Sequence, residues 1–162
     1  MTRPATPGEL QDNPATRPET LAERQAALVA ALTGGARVPV GFDPGLVEVA
    51  RVALLRKRAG EVARQWPDLA RALGSAWWPT WSAWAAARPT QGSLRDGWDL
   101  ARSLRERGEL PPAAGAELAS REATLRYDGK SAPRRRRLPA LRRASGAVAL
   151  QTLGTVRILR RA

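Results

Sequence analysis

The 162-residue chain has neither cysteine nor histidine, and only one Phe, one Tyr and one Met. Without Cys there is no disulfide, no thiol nucleophile and no thiolate zinc site. Without His, the commonest general base at neutral pH is missing, and so are imidazole metal ligands. An active site would have to be assembled from carboxylates, Lys, Tyr or Ser, and no carboxylate pair has a spacing that argues for acid–base or metal chemistry. The expectation is a protein that is not an enzyme and that uses no cofactor or metal. Long hydrophobic runs are lacking too. No window reaches the roughly 20 apolar residues of a spanning helix; the richest, Ala76 to Ala87, is interrupted by Pro79. Met1 to Glu19 lacks the apolar stretch of an export signal. With a cysteine-free composition suited to a reducing compartment, these absences lead to the expectation of a soluble, cytoplasmic protein with no membrane partner.

What is present is a 43% hydrophobic content, enough for a core, in which six Trp stand out among Ala, Leu and Val. The net charge is +12 and the pI near 11.7. Charge of that size draws polyanions or acidic protein surfaces without saying which.

The closely spaced Pro4, Pro7, Pro14 and Pro18 make residues 1–19 a disordered leader. Thr20 and Glu23 have capping-box spacing and open a helix with Leu21, Leu28, Val29 and Leu32 on one face, ended at Gly34-Gly35. Asp43-Pro44 starts a second helix, with Leu46, Val49, Ala50 and Ala53 as its apolar stripe and an end near Gly60. Further helical pieces run from Glu61 to Trp66 and from Pro67 to Leu73. Trp77, Trp81 and Trp84 fall along one face of the next segment if it is helical from Ala76; alternatively Pro79 marks the first helical position and leaves Trp77 and Trp78 just outside. Ser93 caps a helix through Arg107 with Leu94, Trp98, Ala101 and Leu104 inward, and Pro111 or Pro112 begins the last one, to about Leu125. From Lys130 onward there is no acidic residue. Three short β-like runs follow: Leu138 to Arg143, Ala147 to Leu153 and Thr155 to Arg160, separated by Ser145-Gly146 and Gly154. Pro139 confines the first to an edge. The expected fold is mainly α, an N-terminal helical bundle followed by a small C-terminal antiparallel β-meander (α+β). The divisions are a leader over 1–19, a helical domain over 20–126 and a basic β-meander over 127–162.

Candidate binding residues come from two features. Arg134, Arg135, Arg136, Arg137, Arg142 and Arg143 form the densest part of the basic tail, where guanidinium groups can pair with phosphate or carboxylate. The plain alternative is solvated charge that keeps a sheet edge from pairing with another chain. The tryptophans read mainly as core. Trp77 and Trp78 are adjacent and cannot face the same way, so the outer one is the better interface anchor. Asp96, Asp99 and Glu106 sit among Arg95, Arg102 and Arg105, and intrahelical pairing accounts for them. The edge of the meander offers a place for an extended peptide to add a strand.

Three stretches together, Leu54 to Trp66 (LLRKRAGEVARQW), Gly92 to Leu100 (GSLRDGWDL) and Tyr127 to Arg137 (YDGKSAPRRRR), resemble the C-terminal region that follows the barrel in some actinobacterial multinuclear non-haem iron-dependent oxidases. That region is similar in role to the stand-alone partner proteins of these enzymes. The resemblance spans roughly Leu21 to Arg160. It implies a non-catalytic accessory protein whose partners are a barrel oxidase and a ribosomally made, Cys-containing precursor peptide. It implies too that an α-helical part precedes a small β-containing part that helps hold the peptide leader. This chain has no His with which to build the iron-binding barrel, so any chemistry would belong to another polypeptide. The competing reading is a nucleic-acid-binding module that uses the same basic tail.

Overall fold

A computed structural model describes residues 19–136 and the backbone of the strands at 140–144, 147–152 and 155–160. The leader through residue 18 and Arg137 lie outside the described residues.

Helix α1 (Leu21–Gly34) begins at the expected capping box, in which Glu23 N–H donates to Thr20 Oγ1 at 3.2 Å and Thr20 N–H to Glu23 Oε2 at 2.7 Å. It ends where Gly35 takes a left-handed φ of 69°. Helix α2 (Pro44–Gln65) is capped by Asp43, whose Oδ1 accepts from the N–H groups of Gly45 and Leu46 at 2.7 and 3.1 Å. The helix does not stop at Gly60. Ala59 and Val62 are buried on either side of it, and their burial outweighs the roughly 1 kcal/mol cost of an interior glycine. Pro67 then starts α3 (Pro67–Leu73), followed by a 3-10 turn and α4 (Trp77–Ala85). Helices α5 (Ser93–Glu106) and α6 (Pro112–Thr124) complete the helical part.

The stripe expected on α2 is corrected by the fold. Val47, Leu55, Ala59 and Val62 face the core, while Leu46, Val49, Ala50 and Ala53 point to solvent. An Ala-rich helix carries apolar residues on both sides, so periodicity alone does not choose between them. Helix α1 is similar: only Ala31 is fully buried, and Leu21 and Val29 are exposed.

The core gathers around Trp66, Trp81 and Trp98, none of which reaches solvent, with Leu69, Leu100, Leu104 and Leu118 between them. Truncating any of these indoles to Ala costs about 3–5 kcal/mol. The row expected on α4 is present: Trp77 stacks on Trp81 at 5.8 Å, and Trp81 meets Trp84 at 5.6 Å. Ser93 is not the cap of α5 but its first residue; Asp96 reaches back instead to the N–H of Gln91 at 2.9 Å.

After α6 the chain becomes β. Strands β1 (Leu125–Arg126) and β2 (Arg134–Arg135) form a short antiparallel ladder that the periodicity did not announce. The meander is as expected: β3 (Ala140–Ala144), β4 (Ala147–Thr152) and β5 (Thr155–Arg160) pair antiparallel in that order, so β3 and β5 are the edges. Helix α6 lies against this sheet as well as against α3 and α5.

Candidate binding surface

The β1–β2 ladder is built by one turn. Asp128 Oδ1 accepts from the N–H groups of Lys130 and Ser131 at 2.9 and 2.7 Å. These two bonds hold its carboxyl down at a pKa of about 2. Gly129 supplies the positive φ of 83° that the turn requires. The returning strand places Arg134 directly across from Arg126, and Arg135 across from Leu125. Like charges facing each other across a ladder are destabilising. Arg126, Arg134 and Arg135 are all exposed, and among the described residues no carboxylate pairs with any of them. The result is a small concentration of positive charge on a fixed backbone, suited to an anion from outside the chain.

Arg136 behaves differently from its neighbours. Its Nε donates to the carbonyls of Glu122 and Leu125 at 2.9 and 3.2 Å, and its backbone N–H to Thr124 O at 2.9 Å. It fastens the basic segment to the end of α6. Arg142 and Arg143 stand in β3 opposite Ala149 and Val148 of β4. Arg126, missed in the sequence, joins the group only because of the turn; the Asp128-Gly129 pair between two basic runs was the available signal.

The tryptophan candidates belong to another part of the fold. Trp77 and Trp78 are both half-buried, so burial does not separate them. Their contacts do: Trp77 packs inward on Trp81, whereas Trp78 lies beneath the Arg56 guanidinium at 5.5 Å, at the surface of α2.

Among the described residues the carboxylates of α5 form no close ion pair within their helix, although the charges of Arg102 and Arg95 act on Asp99. Asp96 accepts from Arg58 Nη2 at 3.3 Å and from Thr90 Oγ1 at 2.7 Å. Arg102 and Arg105 both turn to Glu122 of α6, at 2.9 and 3.2 Å. These side chains lie on the packed side of α5, where partners on other elements outcompete water-screened intrahelical ones. Burial alone would raise the Glu122 pKa. The bond from Arg102 and the charge of Arg105 outweigh it and hold the carboxyl below its ordinary value. Asp99 is pushed up by burial, only partly offset by the Tyr127 hydroxyl that donates to it at 2.8 Å. A cleft of about 600 Å³ beside Asp99 is lined by Trp84, Arg88, Arg102, Glu106 and Gly129 among others. Asp99 and Arg102 are committed to Tyr127 and Glu122, so this cleft reads as framework. Among the described residues no three acidic side chains gather as a metal ion would need.

Residues 22–106 match the family model described as SCO6045-like, C-terminal domain. The chain belongs to this family. A relative named UPF0276 protein, from Streptomyces avermitilis, is 37% identical over 134 residues, which cover 82% of this chain and 27% of that protein. The chain thus spans little more than a quarter of the length of that curated relative. The actinobacterial character of the resemblance is met by this Streptomyces protein. No solved structure matches the chain. Among the described residues no helix is long and apolar enough to cross a membrane.

Proposed function

We propose that this protein is a non-catalytic accessory protein that binds a peptide-modifying iron-dependent oxidase and helps present its precursor peptide. The observation that carries the peptide-binding part is the β1–β2 ladder, where exposed Arg126, Arg134 and Arg135 lie without a carboxylate partner among the described residues. An acidic stretch of peptide would relieve the repulsion between Arg126 and Arg134 and gain charge-assisted hydrogen bonds. The edges at β3 and β5 offer backbone donors and acceptors to the same extended chain. The partner part draws support from kinship. The family is named as a C-terminal domain, and the Streptomyces relative carries the matching module within a much longer polypeptide.

The test is a tagged pull-down from the native host, with nuclease and a moderate-salt wash, read by mass spectrometry. Recovery of an iron-containing barrel protein together with a small Cys-bearing peptide is the expected outcome. Loss of every partner on nuclease treatment would transfer the role to nucleic acid. In a defined assay, the double variant Arg134→Ala/Arg135→Ala weakens peptide binding by about tenfold or more, as expected when two charge-assisted contacts are lost. Its far-UV circular dichroism stays unchanged, because Arg136, which ties the segment to α6, is kept. Equal peptide affinity in the variant would remove the ladder from the binding surface.

A further inference from the structure

The outward side of α2 is divided along its length. Its first half presents Leu46, Val49, Ala50 and Ala53, which share one face through i,i+3 and i,i+4 relations, and Leu46 and Val49 are 71% and 69% exposed. Val40 and Phe42, on the segment leading into the helix, are exposed beside its start. The same row then continues through Arg56, Lys57 and Arg64, all exposed, with one half-buried carboxylate, Glu61, between the last two, so that the row stays net positive. Apolar residues in a continuous row on the solvent side of a helix cost solubility without adding to the core. Here the core of α2 is already supplied by Val47, Leu55, Ala59 and Val62.

From this division we infer that the outward face of α2 docks a protein partner whose contact surface sets an apolar ridge beside a cluster of carboxylates. The charge selects the occupant. A second copy of this chain would bring another Arg56, Lys57 and Arg64 and the same +12 net charge to the contact, whereas an acidic surface gains from each of them. A protein neighbour for the module exists in the family, since most of the Streptomyces relative lies outside the match. Trp78, beneath Arg56, borders the basic half of the face and gives it an aromatic margin. The peptide-binding ladder is built on other elements, so one chain holds both partners without competition. The identity of the partner as the oxidase rests on the accessory-protein reading; the location of the face does not.

The experiment uses the full chain and the whole barrel oxidase of the same host, with affinities from calorimetry. Leu46→Gln/Val49→Gln replaces exposed apolar groups on a helix surface and keeps the fold, as circular dichroism and the unfolding midpoint will confirm. The expected result is a loss of affinity of about tenfold or more from removing two central anchors. A slower, less salt-sensitive association is expected in Lys57→Glu. Oxidase binding of unchanged strength in Leu46→Gln/Val49→Gln overturns the face and leaves the accessory reading standing. No oxidase binding by the wild-type chain overturns that reading, and this partner with it. If light scattering shows a wild-type dimer that becomes monomeric in Leu46→Gln/Val49→Gln, the face belongs to a second copy and the inference is wrong.

Discussion

Gly97→Ala will destabilise the protein, although it places the best helix former in the middle of a helix. Propensity alone favours alanine there by about 1 kcal/mol. Packing reverses the sign. A Cβ at position 97 would sit 2.2 Å from Cδ1 of Trp66, 2.4 Å from its Nε1 and 2.7 Å from its Cγ, against ordinary contacts of about 3.5–4.0 Å. The indole has nowhere to retreat. Its N–H donates to Leu94 O at 3.0 Å, its plane meets Trp98 edge-on at 5.9 Å, and Arg121 lies over it at 4.3 Å. Overpacking a core costs about 1–3 kcal/mol and occasionally more, and this site belongs at the upper end. A loss of about 3 kcal/mol lowers the melting temperature by roughly 6–12 °C in a chain of this size. Thermal unfolding followed by tryptophan fluorescence measures it. A neutral or stabilised Gly97→Ala would mean that the Trp66 ring and Gly97 of α5 do not approach as described. A double-mutant cycle with Trp66→Leu should recover part of the loss, because the two positions share one space.

Glu122→Gln carries the second large effect, and its signature is a dependence on pH. The carboxylate accepts from Arg102, Arg105 and, at 3.4 Å, Trp98 Nε1. The amide keeps the shape, but its NH2 turns donors toward one guanidinium and its carbonyl offers the other only a neutral acceptor. Leaving such cations without their anion costs about 2 kcal/mol, below the value for fully buried pairs because both arginines reach water. Glu122 has a folded pKa lowered from 4.5. Its contribution is therefore complete above the unfolded value and is lost as pH falls through the lower folded one. Asp99 and Glu117, both raised chiefly by burial, act with the opposite sign. They bind protons more tightly when folded, so each adds stability as pH drops from its folded value toward its unfolded one. The gap between wild type and Glu122→Gln should thus be constant near neutrality and close as pH falls below 4.5. Urea midpoints across that range decide it. A gap that does not change with pH would show that the charge of Glu122 contributes nothing beyond its shape.

Both effects rest on pairs that are distant in sequence, and this is where sequence reading stopped. Local chemistry was legible. The Thr20–Glu23 box, the Asp43 cap and the Gly35 stop each act within one helical turn, and the meander announces itself by alternation and glycine turns. Relations across the fold were not. Nothing near Gly97 in the chain mentions Trp66, and nothing in α5 shows that Arg102 and Arg105 would leave their own helix for Glu122. On α2 the apolar pattern was visible but its orientation was not, since both of its faces are rich in Ala, Val and Leu. For the site, the basic tail was plain from composition. The separation of Arg134 and Arg135, which face solvent, from Arg136, which is bonded to α6, became visible only with the ladder in place.

The row of indoles on α4 has an optical consequence. Rings 5.8 and 5.6 Å apart exchange excitation far faster than they emit, so light absorbed by Trp77, Trp81 or Trp84 collects on the ring with the lowest excited state. An indole in contact with water and beside a cation is such a ring. Trp84, half-buried under Arg88 at 5.1 Å, meets that description within the row, and Trp78 meets it under Arg56. The unlabelled protein therefore carries its own gauge of what covers these two rings. Its emission maximum will move to the blue as water leaves either of them, while the sealed pair Trp66 and Trp98 supplies a constant background.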